Sequence, residues 1–220
     1  MNERHFELKR KQLVEFLKSS GAVKSIPIER AFSKVKRELF VPEAYSDYAY
    51  ADDALPTSLG QTISQPSTIA TMLELLDAGT GMKVLEVGSG SGYVLALLSE
   101  IVGSEGKVIG IEFLHELAEK SRESSEKQGA GNVVVIEGDG GKGLDSEKPF
   151  DRILVSCACP FIPKPLFDQL KEGGRIVAPV GDKHTQLLQI MKKINGKVLK
   201  EDYIGGYFVF VPLRGEHGWK

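Results

Sequence analysis

An α/β fold on a mostly parallel central sheet is predicted by three observations. Val84, Leu85 and Val87 form a short apolar run, Gly88, Gly90 and Gly92 follow it, and Ala96, Leu97, Leu98, Ile101 and Val102 then recur at helical spacing. A strand therefore enters a glycine-rich turn and leaves as a helix. Two further apolar runs follow, Val108 to Glu112 and Asn132 to Glu137, the second leading into Gly138-Asp139-Gly140. Successive strands thus end in glycine or an acid, where open parallel sheets place their ligands. The last third continues the pattern: strands over Phe150 to Ser156 and Arg175 to Val180 flank a helix over Leu166 to Leu170 that Gly173-Gly174 closes. Gln186 to Lys193 and Tyr203 to Leu213, with Asn195-Gly196 between them as a hairpin signal, add an antiparallel C-terminal edge. The prediction is a Rossmann-like sheet with helices on both faces, plus an N-terminal helical extension.

The 220 residues, 41% of them hydrophobic, suffice for one sizeable core. Residues 1–65 are expected to form a helical and substrate-loop segment and 66–220 the Rossmann-like domain, the two working as one unit. A formal charge of −2, with acids and bases mixed along the chain, supplies no basic field for nucleic acid. The charged start and the lack of an apolar run of membrane-spanning length lead to the expectation of a soluble cytoplasmic protein with no membrane partner. A monomer is the working expectation, although no sequence feature sets the oligomeric state. Cys157 and Cys159 stand too close in an extended segment to pair, and read as small core or cleft residues. The four histidines, His5, His115, His184 and His217, have no ligand-like spacing to them, so no metal is expected.

Before the glycine turn, residues 3 to 19 read as an amphipathic helix with Phe6, Leu13, Phe16 and Leu17 on its apolar stripe. Pro27 begins a second helix whose Ile28, Ala31, Phe32 and Val35 share a face. The aromatic stretch Phe40 to Tyr50 reads as a cap over the core. From Asp52 to Pro66 the chain is long, polar and uncharged after Asp53, which marks a functional loop more than scaffold. Pro66 starts a helix with Ile69, Met72, Leu73 and Leu76 inward, placing Ser64 or Gln65 at its cap; capping is the plain structural role open to Ser64.

Glycine without a Cβ lets a ligand lie against backbone, and a helix N-terminus offers free N–H groups. Glu112 stands near the interval expected for a ribose-binding carboxylate after the first glycine. A dinucleotide fingerprint would need glycine where this chain has Tyr93. With Gly92 instead, the loop suits a ligand bearing adenosine and a charged amino-acid tail, such as S-adenosyl-L-methionine. Val84-Leu-Glu-Val-Gly-Ser-Gly-Ser-Gly92 resembles the cofactor loop of the class I methyltransferases. That resemblance implies Glu112 on the ribose hydroxyls, Asp139 and the Gly140 backbone at the adenine edge, Gly88 to Gly92 under the methionine part, and Glu86 supporting its ammonium. No Asn/Asp-Pro-Pro-Tyr/Phe segment of an amide or exocyclic-amine methylating enzyme follows the fourth strand, where Ser156-Cys-Ala-Cys-Pro160 stands.

Gly60-Gln-Thr-Ile-Ser-Gln-Pro66 narrows the resemblance to the protein-L-isoaspartate O-methyltransferase family, together with Arg37-Glu-Leu-Phe-Val-Pro42, Gly138-Asp-Gly140, Phe161-Ile-Pro163, Gln169 to Gly174, Pro179-Val-Gly181, Phe210-Val-Pro-Leu213 and Gly218-Trp219. The resemblance covers nearly the whole chain. It implies methyl transfer to isoaspartyl residues of damaged proteins and peptides, with the Ser64 hydroxyl on the isoaspartyl group and backbone near Val211 fixing the peptide. Ala54, Leu55 and Gln61 would line the peptide groove, and Thr62, Ile63, Ser64, Thr68, Ser89 and Phe113 would add cofactor contacts. Ala54-Leu-Pro-Thr57, Gly141 and Ser156 to Pro160 depart from the family's usual residues by small-for-small changes. A substrate carboxylate is already ionised at neutral pH, so the reaction needs no general base, in keeping with the absence of histidine from these loops.

Overall fold

A computed structural model describes residues 3–219. The N-terminal layer starts with α1 (Glu3–Ser19), whose inward face is Arg10, Leu13, Val14 and Leu17. This stripe is rotated from the expected one: Phe16 is left 48% exposed, because the 10, 13, 14, 17 spacing tracks one helix face and Phe16 falls beside it. The next helix, α2 (Ile26–Lys34), carries Pro27 in its first turn and buries Ile28, Ala31 and Phe32, with Val35 buried just beyond. Short 3-10 turns over Arg37–Leu39 and Glu43–Tyr48 lead to a small antiparallel pair, β1 (Leu55–Pro56) and β2 (Thr62–Ile63). From β2 the chain passes directly into α3 (Pro66–Leu76).

The central sheet uses β3 (Lys83–Val87), β4 (Lys107–Glu112), β5 (Val133–Glu137), β6 (Phe150–Val155), β7 (Leu170–Gly181), β8 (Gln186–Ile194) and β9 (Lys197–Asp202), in the order β5-β4-β3-β6-β7-β8-β9. The first four neighbouring pairs are parallel and the β7–β8 and β8–β9 pairs antiparallel. The connecting helices are α4 (Tyr93–Val102), α5 (His115–Gln128) and α6 (Lys164–Asp168). Alternation along the strands divides the core in two. Val84, Val108, Leu154 and Val177 face a thick layer built with α1 to α4. Leu85, Val87, Ile109, Ile111, Ile153 and Val155 face a thinner one, closed by Leu166 of α6 and by Leu213. Helices thus cover both faces, unequally.

Two expected boundaries differ. The helix after β6 ends at Asp168, and Leu170 already pairs with Phe150 as the start of β7; the register irregularity between Phe150 and Arg152 absorbs the Gly173-Gly174 turn. At the far edge, Asn195 and Gly196 close a two-residue hairpin with φ of 53° and 69°, as the Asn-Gly signal predicts. The returning strand, however, is Lys197–Asp202. The chain leaves the ladder after Tyr203, whose N–H still donates to the Leu188 carbonyl at 2.8 Å, turns at Gly205-Gly206, where Gly206 has φ 145°, and then makes single bridges, Phe208 to Gln186 and Pro212 to Ala158.

One close approach sets how near α4 and the glycine turn lie to the sheet. A Cβ on Gly110, in the middle of β4, would stand 2.6 Å from Leu95 Cδ1 and 3.0 Å from Ser89 Cβ. Gly110→Ala is therefore expected to overpack this contact and to destabilise the fold by about 1–3 kcal/mol, read as a lower urea midpoint with an unchanged slope.

Candidate active site

The C-terminal ends of β3, β4 and β6 converge on a cleft of about 540 Å³ lined by Gly88, Gly90, Glu112, Phe113, Gly140 and Ser156, among others. The glycine turn is bound to the end of β4: Gly88 N–H donates to the Ile111 carbonyl at 2.8 Å, and Gly90 N–H to Glu112 Oε2 at 2.8 Å. The other oxygen of Glu112 accepts the Leu114 N–H at 3.0 Å. A carboxylate has about four lone-pair sites, so two remain for hydroxyl donors. Gly88, Gly90 and Gly92 all have positive φ. Gly92 caps α4, and a Cβ there would meet Ser121 Oγ at 2.8 Å. Phe113 is half-exposed at the mouth, while Ser89 is buried and its hydroxyl accepts from Ser121 Oγ at 3.5 Å.

A second cleft, of about 730 Å³, is lined by Ala54, Ser64, Gln65, Thr68 and the segment Tyr207 to Val211. Thr62, Ser156 and Val211 line both clefts, so the two share a wall. Ser64 does not cap α3. The cap position is Gln65, which makes no side-chain cap bond, and the capping acceptor is Asp52: its Oδ1 accepts the Ser67 N–H at 2.8 Å and its Oδ2 accepts from Gln65 Nε2 at 2.9 Å. The Ser64 hydroxyl is left without a hydrogen-bond partner among the described residues, while its carbonyl accepts from Arg37 Nη2 at 2.9 Å.

The remaining expected site residues divide between the clefts and the scaffold. Gln61 lines the first cleft, while Leu55 and Ile63, paired across the β1–β2 hairpin, are buried in the core. Thr68 lies on the Ser64 side, and Val211 spends its carbonyl on the Ala158 N–H at 2.8 Å. Asp139 accepts the Gly141 N–H at 3.0 Å and the Glu216 N–H at 2.9 Å, tying the C-terminal turn over the Gly140 end of the first cleft. Cys157 and Cys159 are free and buried, Cys159 in the core and Cys157 at the floor of the first cleft. Sequence reasoning passed over Asp52, Arg37 and Ser156. Ser156 could have been found from its place at the end of β6, on the ligand-binding edge of the sheet.

Residues 8–218 match the sequence profile of the protein-L-isoaspartate(D-aspartate) O-methyltransferase family. The chain belongs to this family. A protein-L-isoaspartate O-methyltransferase 2 of Archaeoglobus fulgidus is 49% identical over 215 residues, 98% of this chain and 97% of that protein. A solved protein-L-isoaspartate O-methyltransferase superposes with a TM-score of 0.87 at 32% identity, over 95% of this chain and 67% of that one. A Plasmodium falciparum structure described as a protein-L-isoaspartate O-methyltransferase in complex with S-adenosyl-L-homocysteine gives a TM-score of 0.82 at 26% identity, over 93% of this chain and 98% of that one. This family member is a methyltransferase that draws its methyl group from S-adenosyl-L-methionine.

The donor set suits that cofactor. Glu86 is buried to 1% exposure; Ser156 Oγ donates to its Oε1 at 2.6 Å, and its Oε2 has no partner. A cation beside that oxygen would hold the carboxyl ionised and give it a donor, and the ammonium of a methionine moiety is such a group. Burial, helped by the nearby Glu112 charge and opposed by the Ser156 hydrogen bond, pushes the Glu86 carboxyl from 4.5 up to about 8. With the pKa raised on folding, the native state holds a proton that the unfolded state releases above about pH 4.5. The contribution of Glu86 to stability therefore declines as pH rises from about 4.5 to about 8 and is flat outside that window. Glu86→Gln is expected to remove this part of the slope and to be relatively more stable at pH 8 than at pH 5, as read from urea unfolding at the two values.

Proposed function

We propose that this enzyme methylates the free carboxylate of L-isoaspartyl residues in damaged proteins and peptides, and that Ser64 aligns that carboxylate. The observation that carries the site assignment is the Ser64 hydroxyl: it has no partner among the described residues, has no capping duty, and lines a cleft that shares Thr62, Ser156 and Val211 with the glycine-floored one. S-adenosyl-L-methionine, when bound, supplies a methyl on a sulfonium that transfers in line to an oxygen nucleophile, leaving a neutral thioether. Gly88, Gly90, Glu112 and Glu86 are assigned to hold it, and Gly140 to flank the adenine, with Asp139 acting through the turn it ties down.

What the chain adds to the chemistry is alignment and the removal of water. A carboxylate is ionised at neutral pH and needs no base, and holding two reactants in a near-attack geometry supplies a large share of a displacement barrier. Ser64 Oγ–H has its donor free for a carboxylate oxygen, whereas Ser156 Oγ–H is committed to Glu86. Tyr207, Phe208 and Val209 stand on the far side of the Ser64 cleft and suit an extended peptide lying across it. The methyl ester is a better leaving group than the acid; the following backbone amide expels it to form a succinimide, whose hydrolysis returns part of the damaged sites to normal aspartyl. The reading includes action as a monomer in the cytoplasm.

Labelled methyl from S-adenosyl-L-methionine is expected to pass to an isoaspartyl peptide and not to its aspartyl twin; equal transfer to both would overturn the repair reading. Ser64→Ala is expected to keep its thermal midpoint and its affinity for S-adenosyl-L-homocysteine while turnover falls about tenfold or more through lost alignment. Ser64→Thr, which keeps a hydroxyl but crowds the cleft, should also be slow. Parental turnover in both variants would remove Ser64 from the active site.

A further inference from the structure

Arg37 is the most deeply buried cation in the described chain, with no measurable exposure. It makes no ion pair among the described residues. Glu38, next to it in sequence, is engaged by Arg10 and the Tyr50 hydroxyl, and Asp52, whose charge favours the guanidinium from beyond ion-pair distance, bonds Gln65 and Ser67. The guanidinium is held by Ser64 and Tyr93. Nη2 donates to the Ser64 carbonyl at 2.9 Å, and the guanidinium carbon lies 4.8 Å from the centroid of the Tyr93 ring. Nε and Nη1 are buried without partners. Taking a guanidinium out of water is costly, and the Ser64 carbonyl, the Tyr93 side chain and the more distant Asp52 charge recover only part of that cost, desolvation being the largest influence on the group. A methionine would fill similar space without it. Stability therefore does not account for the charge, and local costs of this kind gather at functional sites.

The two contacts lie on the two halves of the site. Ser64 faces the peptide cleft, and Tyr93 is the first residue of α4, directly after Gly92 of the cofactor turn. Tyr93 is itself locked, with Phe40 at 5.5 Å and Phe32 at 6.3 Å between ring centroids. The Arg37 guanidinium is thus a rigid strut from the cofactor turn to the backbone of Ser64. We propose that Arg37 is a positioning residue, which fixes the Ser64 hydroxyl relative to the cofactor turn without touching substrate. The proposal rests on the reading of Ser64 given above. It requires that Arg37 act through Ser64, so the two substitutions must not multiply.

The test is a double-mutant cycle with R37M, S64A and the pair, using an isoaspartyl peptide and S-adenosyl-L-methionine, with R37K as the conservative variant. R37M is expected to fold with a thermal midpoint no lower than the parent and to bind S-adenosyl-L-homocysteine within about twofold of it. Its kcat should fall about tenfold to a hundredfold, the scale of a reactant misplaced by about 1 Å. R37K, which retains a donor, should recover part of that loss, and the double variant should be no slower than S64A. Parental kcat in R37M with a slow S64A would overturn the strut and leave the Ser64 reading standing; parental kcat in S64A would overturn the Ser64 reading itself. Multiplying effects would show that Arg37 acts elsewhere. Failure of R37M to fold, or a kcat loss matched by a fall in thermal midpoint in both Arg37 variants, would overturn the proposal by assigning the guanidinium to stability.

Discussion

The Glu112 carboxylate accepts one backbone N–H from the glycine turn after β3 and one from the chain leaving β4, at 2.8 and 3.0 Å. This pair of charge-assisted bonds joins two crossovers that are separate in sequence, and most of the cleft depends on it. It holds the turn to the end of β4, where the Gly88 and Ser89 N–H groups also meet the Ile111 carbonyl. The path is open only to glycine at the key points. Gly88 takes φ 80° above Cys157, and Gly92 takes φ 89° against Ser121. Because the turn is bound on its sheet side, its other side is free to floor a ligand site, and α4 starts at a fixed angle from that floor.

Around that floor the walls come from the two ends of the chain. The N-terminal segment supplies the β1–β2 hairpin and Ser64, held by Arg37 and by Asp52. The C-terminal segment supplies Tyr207 to Val211, held by Gln186, whose buried amide donates to the Asp182 carbonyl at 2.6 Å and accepts the Phe210 N–H at 2.9 Å. Neither wall belongs to the ladder of the sheet. Each is carried by a few side-chain to backbone bonds, joined at the C-terminal wall by the backbone bridges of Phe208 to Gln186 and of Val211 and Leu213 to Ala158, so that a rigid sheet positions loops that lie outside its strands. Of the buried ionisable groups with unpartnered atoms, Arg37 reaches the N-terminal wall at Ser64, and Glu86, on β3, meets Ser156 just beyond the end of β6. Polar groups left short of partners in a low-dielectric interior are costly, and both stand where a ligand or a reacting group must be aligned.

The strands, the glycine turn, α3, the N-terminal helices and the Asn195-Gly196 hairpin were legible because each rests on local periodicity or on a backbone conformation that few residues adopt. The ends of elements were less so. Leu170 reads as the end of a helix in sequence, yet joins β7 because Phe150 is there to pair with it. Tyr203 to Leu213 has the composition of a strand, yet peels away from the ladder beyond Tyr203 and becomes a cleft wall. Phe16 looks as apolar as Leu17, and only the choice of the face with Arg10, Leu13, Val14 and Leu17 as the buried side of α1 leaves it exposed.

For the site, the sequence by itself determined the acceptors and turns that lie next to one another along the chain: Gly88 to Gly92 after a strand, Glu112 at a strand end, and the Gln61 to Pro66 segment ahead of a helix. What only the tertiary structure decided is which partner each group meets. Asp52 supplies the capping acceptor at a helix start where Gln65 or Ser64 was expected, Ser156 reaches Glu86 across 70 positions, and Arg37 reaches Ser64 across 27. The physical reason is range. Periodicity and glycine conformations act over a turn or a strand, while hydrogen bonds to a buried carboxyl or guanidinium are set by sheet order and by the packing of α2 and α3, which no local pattern encodes.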